Sequence, residues 1–344
     1  MNWFVGTYSK RNSKGIYLID FDESNGTFKL VNSFEKQSPL NPSFLAIDNN
    51  NNLYSVGESG TPNPGVVVSY KISNNQIEKI SQENTNGDNP CHLSINGKNN
   101  FLVAVNYSSG DFSTYKITNG KIDFIEKISH KGSSVNTLRQ NEPHAHSINF
   151  IDNETFFVCD LGIDKIMRYS IDQKSLKINT EKSFDLIPGA GPRHFVINNA
   201  DKFAYSINEL NSTISVFNVN EKNDLIHLQN ISTIPKDYNL ETSTADLHFS
   251  HDKRFLYGSN RGHDSLAKFL VNDDGTLEFK KHFSTLGETP RNFAVSHSGK
   301  FVLVANENSD TIYSFYLDSE TGNLDPTGEL IKIPSPVCLL EIIE

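Results

Sequence analysis

An all-β fold of seven propeller blades, each built from four antiparallel strands, is what this 344-residue sequence predicts. Three observations support it: a repeat of about 50 residues, four short apolar runs in each repeat, and chain ends that complete one another. No segment places apolar residues at the spacing of an amphipathic helix, so few helices are expected. We expect a single domain over residues 1–344.

Each repeat opens at a turn residue, which is usually proline. These residues are Pro42, Pro90, Pro143, Pro192, Thr244, Pro290 and Pro336. A short alternating apolar run follows, then a polar turn and a second apolar run that ends in a small or polar residue. A third run is rich in aromatic and β-branched residues, and a fourth follows turns such as DDGT or ETGN. This order of runs and turns is typical of a propeller blade.

The two chain ends together supply one blade. Residues 3–34 contain three strand-like runs, whereas the segment that begins at Pro336 contains only one. A blade built from both termini leaves no open sheet edge and ties the ring shut. The sequence therefore predicts that the N-terminal and C-terminal strands lie in one sheet.

The charge balance excludes several kinds of partner. Lys and Arg number 31 and Asp and Glu number 41, which gives 31 − 41 = −10. Nucleic-acid and anionic-membrane binders need a cationic surface, so neither partner is expected. No run reaches the roughly 18 apolar residues of a membrane span, and the first residues lack the pattern of a signal peptide. The three cysteines lack the spacing of a metal site, so no metal is expected. We also expect a cytoplasmic protein that needs no cofactor.

Two positions in each blade are expected to lie at one face, around the mouth of the central channel. One is the residue after the opening turn: Ser43, Cys91, His144, Arg193, Ala245, Arg291 and Val337. The other is the residue after the second strand: Glu58, Tyr107, Leu161, Glu209, Arg261 and Glu307. Side chains that carry functional groups in these two sets are candidate site residues.

Cations gather at these positions. Three of the seven arginines, Arg193, Arg261 and Arg291, occupy them, and Arg11 and Arg139 lie in loops predicted for the same face. Because Arg presents planar donors suited to carboxylate or phosphate, the sequence predicts a small anionic ligand.

Other candidates have both a functional and a structural interpretation. His146 stands at a position that is otherwise apolar, occupied by Leu45, Leu93, Phe195, Leu247 and Phe293. A histidine there is either catalytic or a hydrogen-bonded core residue. His92 and His194 share one offset and are expected to pack. Asn260 and Glu307 are candidate substrate-binding residues, although Asn260 also suits a turn-forming role and Glu307 also suits a pair with an arginine.

Four motifs resemble the lactonase family of seven-bladed propellers. They are PHAH at residues 143–146, DLGID at 160–164, GPRH at 191–194 with NEL at 208–210, and SNRGHDS at 259–265. The family contains propeller-type 6-phosphogluconolactonases and the fungal 3-carboxy-cis,cis-muconate lactonizing enzyme. The resemblance covers essentially the whole chain. It implies a catalytic set of Arg193, Glu209, Arg261 and one PHAH histidine, either His144 or His146.

The reaction that the resemblance implies is hydrolysis of 6-phosphoglucono-1,5-lactone. Glu209 or a PHAH histidine is the candidate general base, and Arg193 or Arg261 the candidate stabiliser of the carbonyl oxyanion. Arg291 and Arg139 are candidates for holding the phosphate. Two alternatives stay open: a 3-carboxy-cis,cis-muconate cycloisomerase, and a non-catalytic propeller that binds a protein partner.

Overall fold

The computed structural model describes residues 1–343, which contain 28 strands and no helix. The strands form seven sheets of four, and within a sheet the strands that are consecutive in the chain pair antiparallel. The predicted fold class is confirmed. By the density of internal contacts the chain divides into a central unit, Phe34–Phe195, and a terminal unit, Met1–Ser33 with the chain from Val196 onward. The single-domain organisation stays a prediction.

The central unit holds three complete sheets. Their strands are β4 (Leu45–Ile47), β5 (Asn52–Gly57), β6 (Val66–Ser73) and β7 (Gln76–Asn84); β8 (Pro90–Ile95), β9 (Phe101–Asn106), β10 (Asp111–Thr118) and β11 (Lys121–Ser129); β12 (Ala145–Phe150), β13 (Thr155–Asp160), β14 (Lys165–Ile171) and β15 (Ile178–Asp185).

The boundary between the units falls inside the next strand, β16, whose first four residues belong to the central unit. The terminal unit holds the rest of β16 and the remaining strands. They are β16 (Pro192–Asn198), β17 (Phe203–Asn208), β18 (Thr213–Val219) and β19 (Leu225–Ser232); β20 (Ser243–Phe249), β21 (Phe255–Arg261), β22 (Ser265–Val271) and β23 (Leu277–Ser284); β24 (Pro290–Val295), β25 (Phe301–Asn306), β26 (Thr311–Leu317) and β27 (Leu324–Lys332); β1 (Asn2–Thr7), β2 (Tyr17–Asp22), β3 (Thr27–Ser33) and β28 (Pro336–Glu341).

Burial changes from strand to strand within a blade. The second strands of the blades in the central unit are almost continuously buried, as in the sequence FLVAVN of β9. Their fourth strands expose most side chains, as in β7 and β15. A strand that is buried on both faces needs a continuous apolar run, whereas an outer strand does not. The sequence of each repeat therefore dictates which strands form the core.

The terminal strands share one sheet, as predicted. β28 pairs antiparallel with β1, so that Phe4 lies opposite Leu340 and Val5 opposite Leu339. The sheet order is β28, β1, β2, β3. Trp3, Val5 and Leu339 lie in one buried cluster with side chains of β25 and β26.

Buried tyrosines connect neighbouring blades in the terminal unit. The Tyr205 hydroxyl on β17 donates to the Gly275 carbonyl in the turn before β23, at 2.8 Å. The Tyr257 hydroxyl on β21 donates to the Gly322 carbonyl in the turn before β27, at 2.7 Å. Both tyrosines are fully buried. The glycine of a DDG or ETG turn is thus fixed to the blade that precedes it.

Candidate active site

The innermost strands β8, β12 and β24 each carry a β-bulge directly after their first residue. In the terminal unit, Pro290 lies opposite Asn306 and Asn292 lies opposite Ala305, so Arg291 has no opposite residue. The central unit repeats this geometry at Cys91 in β8 and at His146 in β12. Bulges re-aim side chains and are frequent next to active sites. The bulged residue of each of these three strands is therefore a candidate for contact with a ligand.

The predicted alignment of the third repeat is wrong by two residues. Pro90 lies opposite Asn106, the last residue of its second strand, and in the third repeat Ala145, not Pro143, lies opposite Asp160. His146 therefore corresponds to Cys91, and the counterpart of Leu93 is Ile148. His146 therefore does not occupy the apolar position predicted for it. The sequence pattern does not reveal the shift, because a shift of two residues preserves the alternation of a strand.

In several blades the residue after the second strand lies beside the start of the innermost strand. Its amide donates to the carbonyl of the residue before that strand, as Tyr107 does to Asn89 (3.0 Å) and Glu307 does to Thr289 (2.9 Å). The Tyr8 amide makes the same bond to the Ser335 carbonyl (3.1 Å). Tyr8 is not among the residues predicted from the sequence, although aligning WFVGTYS with the second strand of another repeat places it in this set.

Glu209 and Arg261 form a buried ion pair in the terminal unit. The Arg261 Nη2 lies 2.9 Å from the Glu209 Oε2 and donates to the Thr244 carbonyl at 2.7 Å. Burial lowers the pKa of Arg261, the nearby Arg291 guanidinium lowers it further, and the Glu209 carboxylate opposes both effects. Among residues 1–343 the buried Arg261 Nε has no hydrogen-bond partner. Arg261 thus has one N–H donor, at Nε, that makes no hydrogen bond within the described residues.

Tyr8 brings two cations together in the same unit. Its ring centroid lies 5.2 Å from the Arg291 Cζ and 4.8 Å from the Lys10 Nζ. Lys10 also lies 3.6 Å from the Glu307 carboxylate. Arg11 pairs with Asp310 at 2.7 Å and donates to the Glu307 carbonyl. The Glu307 carboxylate thus has a lysine beside it, whereas the arginine contact is to its backbone carbonyl.

Tyr107 contacts three of the predicted residues in the central unit. Arg139 Nη2 donates to the Tyr107 hydroxyl at 2.9 Å, and the His144 ring stacks on the Tyr107 ring with centroids 4.5 Å apart. The His146 ring meets Tyr107 edge-on, with centroids 5.5 Å apart. Three predicted residues therefore surround one tyrosine.

Arg193 reaches the same group through His194. The Arg193 Nη1 lies 3.3 Å from the His194 Nε2, and the His194 ring centroid lies 5.5 Å from that of His146. Arg193 is 2% exposed and His146 is 4% exposed. The central unit thus brings together Arg139, His144, His146 and Arg193. That these residues and those of the terminal unit bind one ligand stays a prediction.

His92 and His194 pack as expected. The His92 ring stacks on Phe44 with centroids 3.9 Å apart and meets the His194 ring edge-on at 5.4 Å.

Asn260 is held entirely by its own blade and the preceding one. It is fully buried, and its Oδ1 accepts from the Thr233 hydroxyl at 2.6 Å. Its Nδ2 donates to the Thr233 carbonyl at 2.8 Å and to the Ser265 hydroxyl at 3.2 Å. These bonds support the turn-forming role, so we leave Asn260 out of the ligand-binding set proposed below.

Within residues 1–343, no three His, Cys, Asp or Glu side chains are arranged to hold a metal ion. The same residues include no helix capable of spanning a bilayer. The cytoplasmic location stays a prediction.

Comparisons with known proteins cover nearly the whole chain. A family model described as "Lactonase, 7-bladed beta-propeller" matches residues 2–341. A Bacillus subtilis (strain 168) protein named 6-phosphogluconolactonase is 32% identical over 345 residues, which covers 98% of this chain and 97% of the relative. A Formosa agariphila protein of the same name is 36% identical over 334 residues, covering 93% and 94%. The solved periplasmic gluconolactonase of Pseudomonas aeruginosa has a TM-score of 0.92 at 30% identity, covering 99% of each chain.

Proposed function

Since the chain belongs to the lactonase family of seven-bladed β-propellers, we propose that it hydrolyses 6-phosphoglucono-1,5-lactone to 6-phosphogluconate. The observation that supports this most strongly is the buried Glu209–Arg261 pair with the Arg291 guanidinium close to it. In a chain of net charge −10, this concentration of arginine suits an anionic substrate.

Arg261 is the proposed stabiliser of the oxyanion. Attack of water on the lactone carbonyl places negative charge on its oxygen, and preorganised donors lower the energy of that state. Arg261 is held in position by the Glu209 carboxylate and the Thr244 carbonyl. Its Nε is a buried donor without a partner among residues 1–343. Arg261 can therefore donate to the oxyanion without giving up the bonds that position it.

Glu209 is better suited to positioning Arg261 than to accepting a proton. A carboxylate paired with a guanidinium is stabilised in its ionised form, which weakens it as a base. Histidine needs little tuning to act as a general base near neutral pH. We therefore assign the general base to a histidine of the PHAH motif.

Of the two PHAH histidines, His146 is the proposed base. It occupies the bulged position that Arg291 occupies in its own blade. The His144 Nδ1 instead lies 2.9 Å from the Tyr107 carbonyl oxygen, and its ring is stacked on the Tyr107 ring. Hydrogen bonding and stacking fix His144 as a support for Tyr107. Arg193 completes the proposed catalytic set by binding oxygens of the lactone.

The test is the hydrolysis rate of freshly generated 6-phosphogluconolactone, coupled to 6-phosphogluconate dehydrogenase. We expect turnover well above the spontaneous rate, and a loss of about 100-fold or more in Arg193→Ala and in His146→Ala. Arg254→Ala is the matched control, because Arg254 is exposed and pairs with Asp252 in the turn between β20 and β21.

Two results would contradict the proposal. No acceleration over the spontaneous rate would leave the cycloisomerase and the protein-binding propeller as the alternatives, and turnover of 3-carboxy-cis,cis-muconate would then identify the cycloisomerase. Full activity in His146→Ala would remove that residue from the role of base.

A further inference from the structure

A buried chain of three side chains lies beside the PHAH segment in the central unit. The Asp160 Oδ2 lies 2.6 Å from the His130 Nδ1, and the His130 Nε2 lies 2.9 Å from the Tyr169 hydroxyl. All three side chains are buried. Since a carboxylate only accepts hydrogen bonds, His130 donates from its Nδ1. None of the three residues has a role in the reaction as proposed above.

The second Asp160 oxygen fixes the backbone of the PHAH segment. Its Oδ1 accepts the His144 amide at 2.8 Å and the Gly162 amide at 2.9 Å. The Leu161 amide donates in turn to the His144 carbonyl at 2.9 Å. Both backbone polar groups of His144 are therefore fixed, two residues before the bulge at His146.

Other blades have asparagine at the position of Asp160 and do not use it in this way. Asn106, Asn260 and Asn306 lie opposite the first residue of the third strand, as Asp160 does. Within residues 1–343 the Oδ1 atoms of Asn106 and Asn306 have no hydrogen-bond partner. The Oδ1 of Asn260 accepts from the Thr233 hydroxyl. A carboxylate offers two acceptor atoms where an amide offers one, so Asp160 can bind backbone amides and an imidazole at once.

His130 likewise stands where other blades have threonine. It follows the fourth strand of its blade, as Thr85, Thr233 and Thr285 follow theirs. In one of those blades a neutral pair, Thr233 with Asn260, thus takes the place of the imidazole and carboxylate. A buried carboxylate costs more to desolvate than an amide does. Because the neutral pair is enough for packing between blades, the carboxylate indicates a role beyond packing.

Tyr169 completes the chain. The equivalent tyrosines of the two preceding blades, Tyr70 and Tyr115, donate to backbone carbonyls at 3.0 and 3.1 Å, whereas Tyr169 meets a histidine. Burial and the nearby Asp160 charge raise the pKa of Tyr169, so its hydroxyl keeps its proton. That hydroxyl can donate to the His130 Nε2, which leaves the Nδ1 proton for Asp160.

We propose that Asp160, held by His130 and Tyr169, is a positioning residue that fixes the backbone from which His146 reaches the substrate. The proposal rests on the proposed function, in which His146 is the general base. Asp160 acts through the backbone of His144, and its effect is on the chemical step. A displacement of about 1 Å in a catalytic group can cost about 100-fold in rate, even where the residues that bind the substrate stay in place.

The first test is Asp160→Asn, with kcat and KM measured for 6-phosphoglucono-1,5-lactone. The substitution keeps the volume but turns one acceptor atom into a donor, so either the backbone amides or His130 must change partner. We expect kcat to fall about tenfold or more while KM stays nearly unchanged. Amide hydrogen exchange followed by NMR should show the His144 and Gly162 amides exchanging about tenfold faster.

The second test is Tyr169→Phe, which keeps the buried ring and therefore tests the chain even if Asp160→Asn does not fold. It removes only the hydroxyl beside His130, and we expect kcat to fall about threefold at unchanged KM. Tyr115→Phe is the matched control, since it removes the equivalent hydroxyl, which donates to the Asn84 carbonyl. The control should lower the urea midpoint as Tyr169→Phe does and leave kcat unchanged.

The outcomes separate the two proposals. Unchanged kcat in both test variants, or an equal fall of kcat in Tyr115→Phe, would overturn the positioning role and leave the lactonase activity intact. A change in KM alone would also overturn it, because substrate binding would then be what the chain affects. No lactonase activity in the wild type would overturn the proposed function and the role in catalysis with it. Unchanged exchange of the His144 amide in Asp160→Asn would overturn the claim that Asp160 fixes this segment, whatever the reaction is.

Discussion

Replacing Gly322 with alanine is expected to destabilise the terminal unit by about 2 to 4 kcal/mol. Gly322 lies in the turn between β26 and β27 with a φ of +68°, a left-handed conformation that costs an alanine about 1 kcal/mol or more. An added Cβ would lie 2.5 Å from the Cδ2 of Phe255. Phe255 is 6% exposed and packs in a core cluster with Leu317 and Leu324, so it has little room to move. Such overpacking costs about 1 to 3 kcal/mol.

Gly328 provides the matched control for this substitution. It has a φ of +87°, but an added Cβ would meet no atom within 4 Å. Gly328→Ala should therefore cost only the backbone contribution of about 1 to 2 kcal/mol. The difference between the two variants measures the contact between the turn and the neighbouring blade.

Urea unfolding followed by tryptophan fluorescence is the assay. Trp3 is the only tryptophan in the chain, is 1% exposed, and lies in the same unit as both glycines. Equal destabilisation by the two substitutions would refute the steric argument, because backbone conformation alone would then account for both.

Three further predictions concern other parts of the terminal unit. Tyr257→Phe should cost about 1 to 2 kcal/mol in urea unfolding, because the Gly322 carbonyl loses its donor; an unchanged midpoint would show that water replaces it. Asn260→Ala should cost about 1 to 3 kcal/mol because it removes two buried hydrogen bonds to the hydroxyl and carbonyl of Thr233; a raised KM with unchanged stability would instead make Asn260 a substrate-binding residue. Burial opposes the charged form of His248, but the Asp246 carboxylate, 2.9 Å from its Nε2, more than offsets burial and raises the His248 pKa above 6.5. The pair should therefore stabilise the folded state fully below about pH 6.5 and lose that contribution as the pH rises through the raised pKa. An NMR titration that gives a His248 pKa of 6.5 or lower would contradict this, and Asp246→Asn should lower the value.

Much of the candidate site could be predicted from position within the repeat. The position after the second strand predicts Glu209 and Arg261 as site residues, and the position after the opening turn predicts Arg193 and Arg291. The repeat does not predict two features of the site, which are the position of His146 and the presence of Tyr8. His146 was assigned to an apolar position, because alternation has a period of two and a two-residue shift leaves no trace in it. Tyr8 was overlooked because its blade is divided between the two ends of the chain.

The sequence by itself determined the number of blades, the order of their strands and the sharing of one sheet by the two termini. Those features follow from apolar runs and turn residues, which act over a few residues and recur in every repeat. Only the tertiary structure decided which side chains meet. Glu209 pairs with Arg261 from the next blade, and Tyr8 stacks with Arg291 from the other end of the chain. Such contacts depend on bulges and on packing between blades, which side-chain patterns within one strand do not encode.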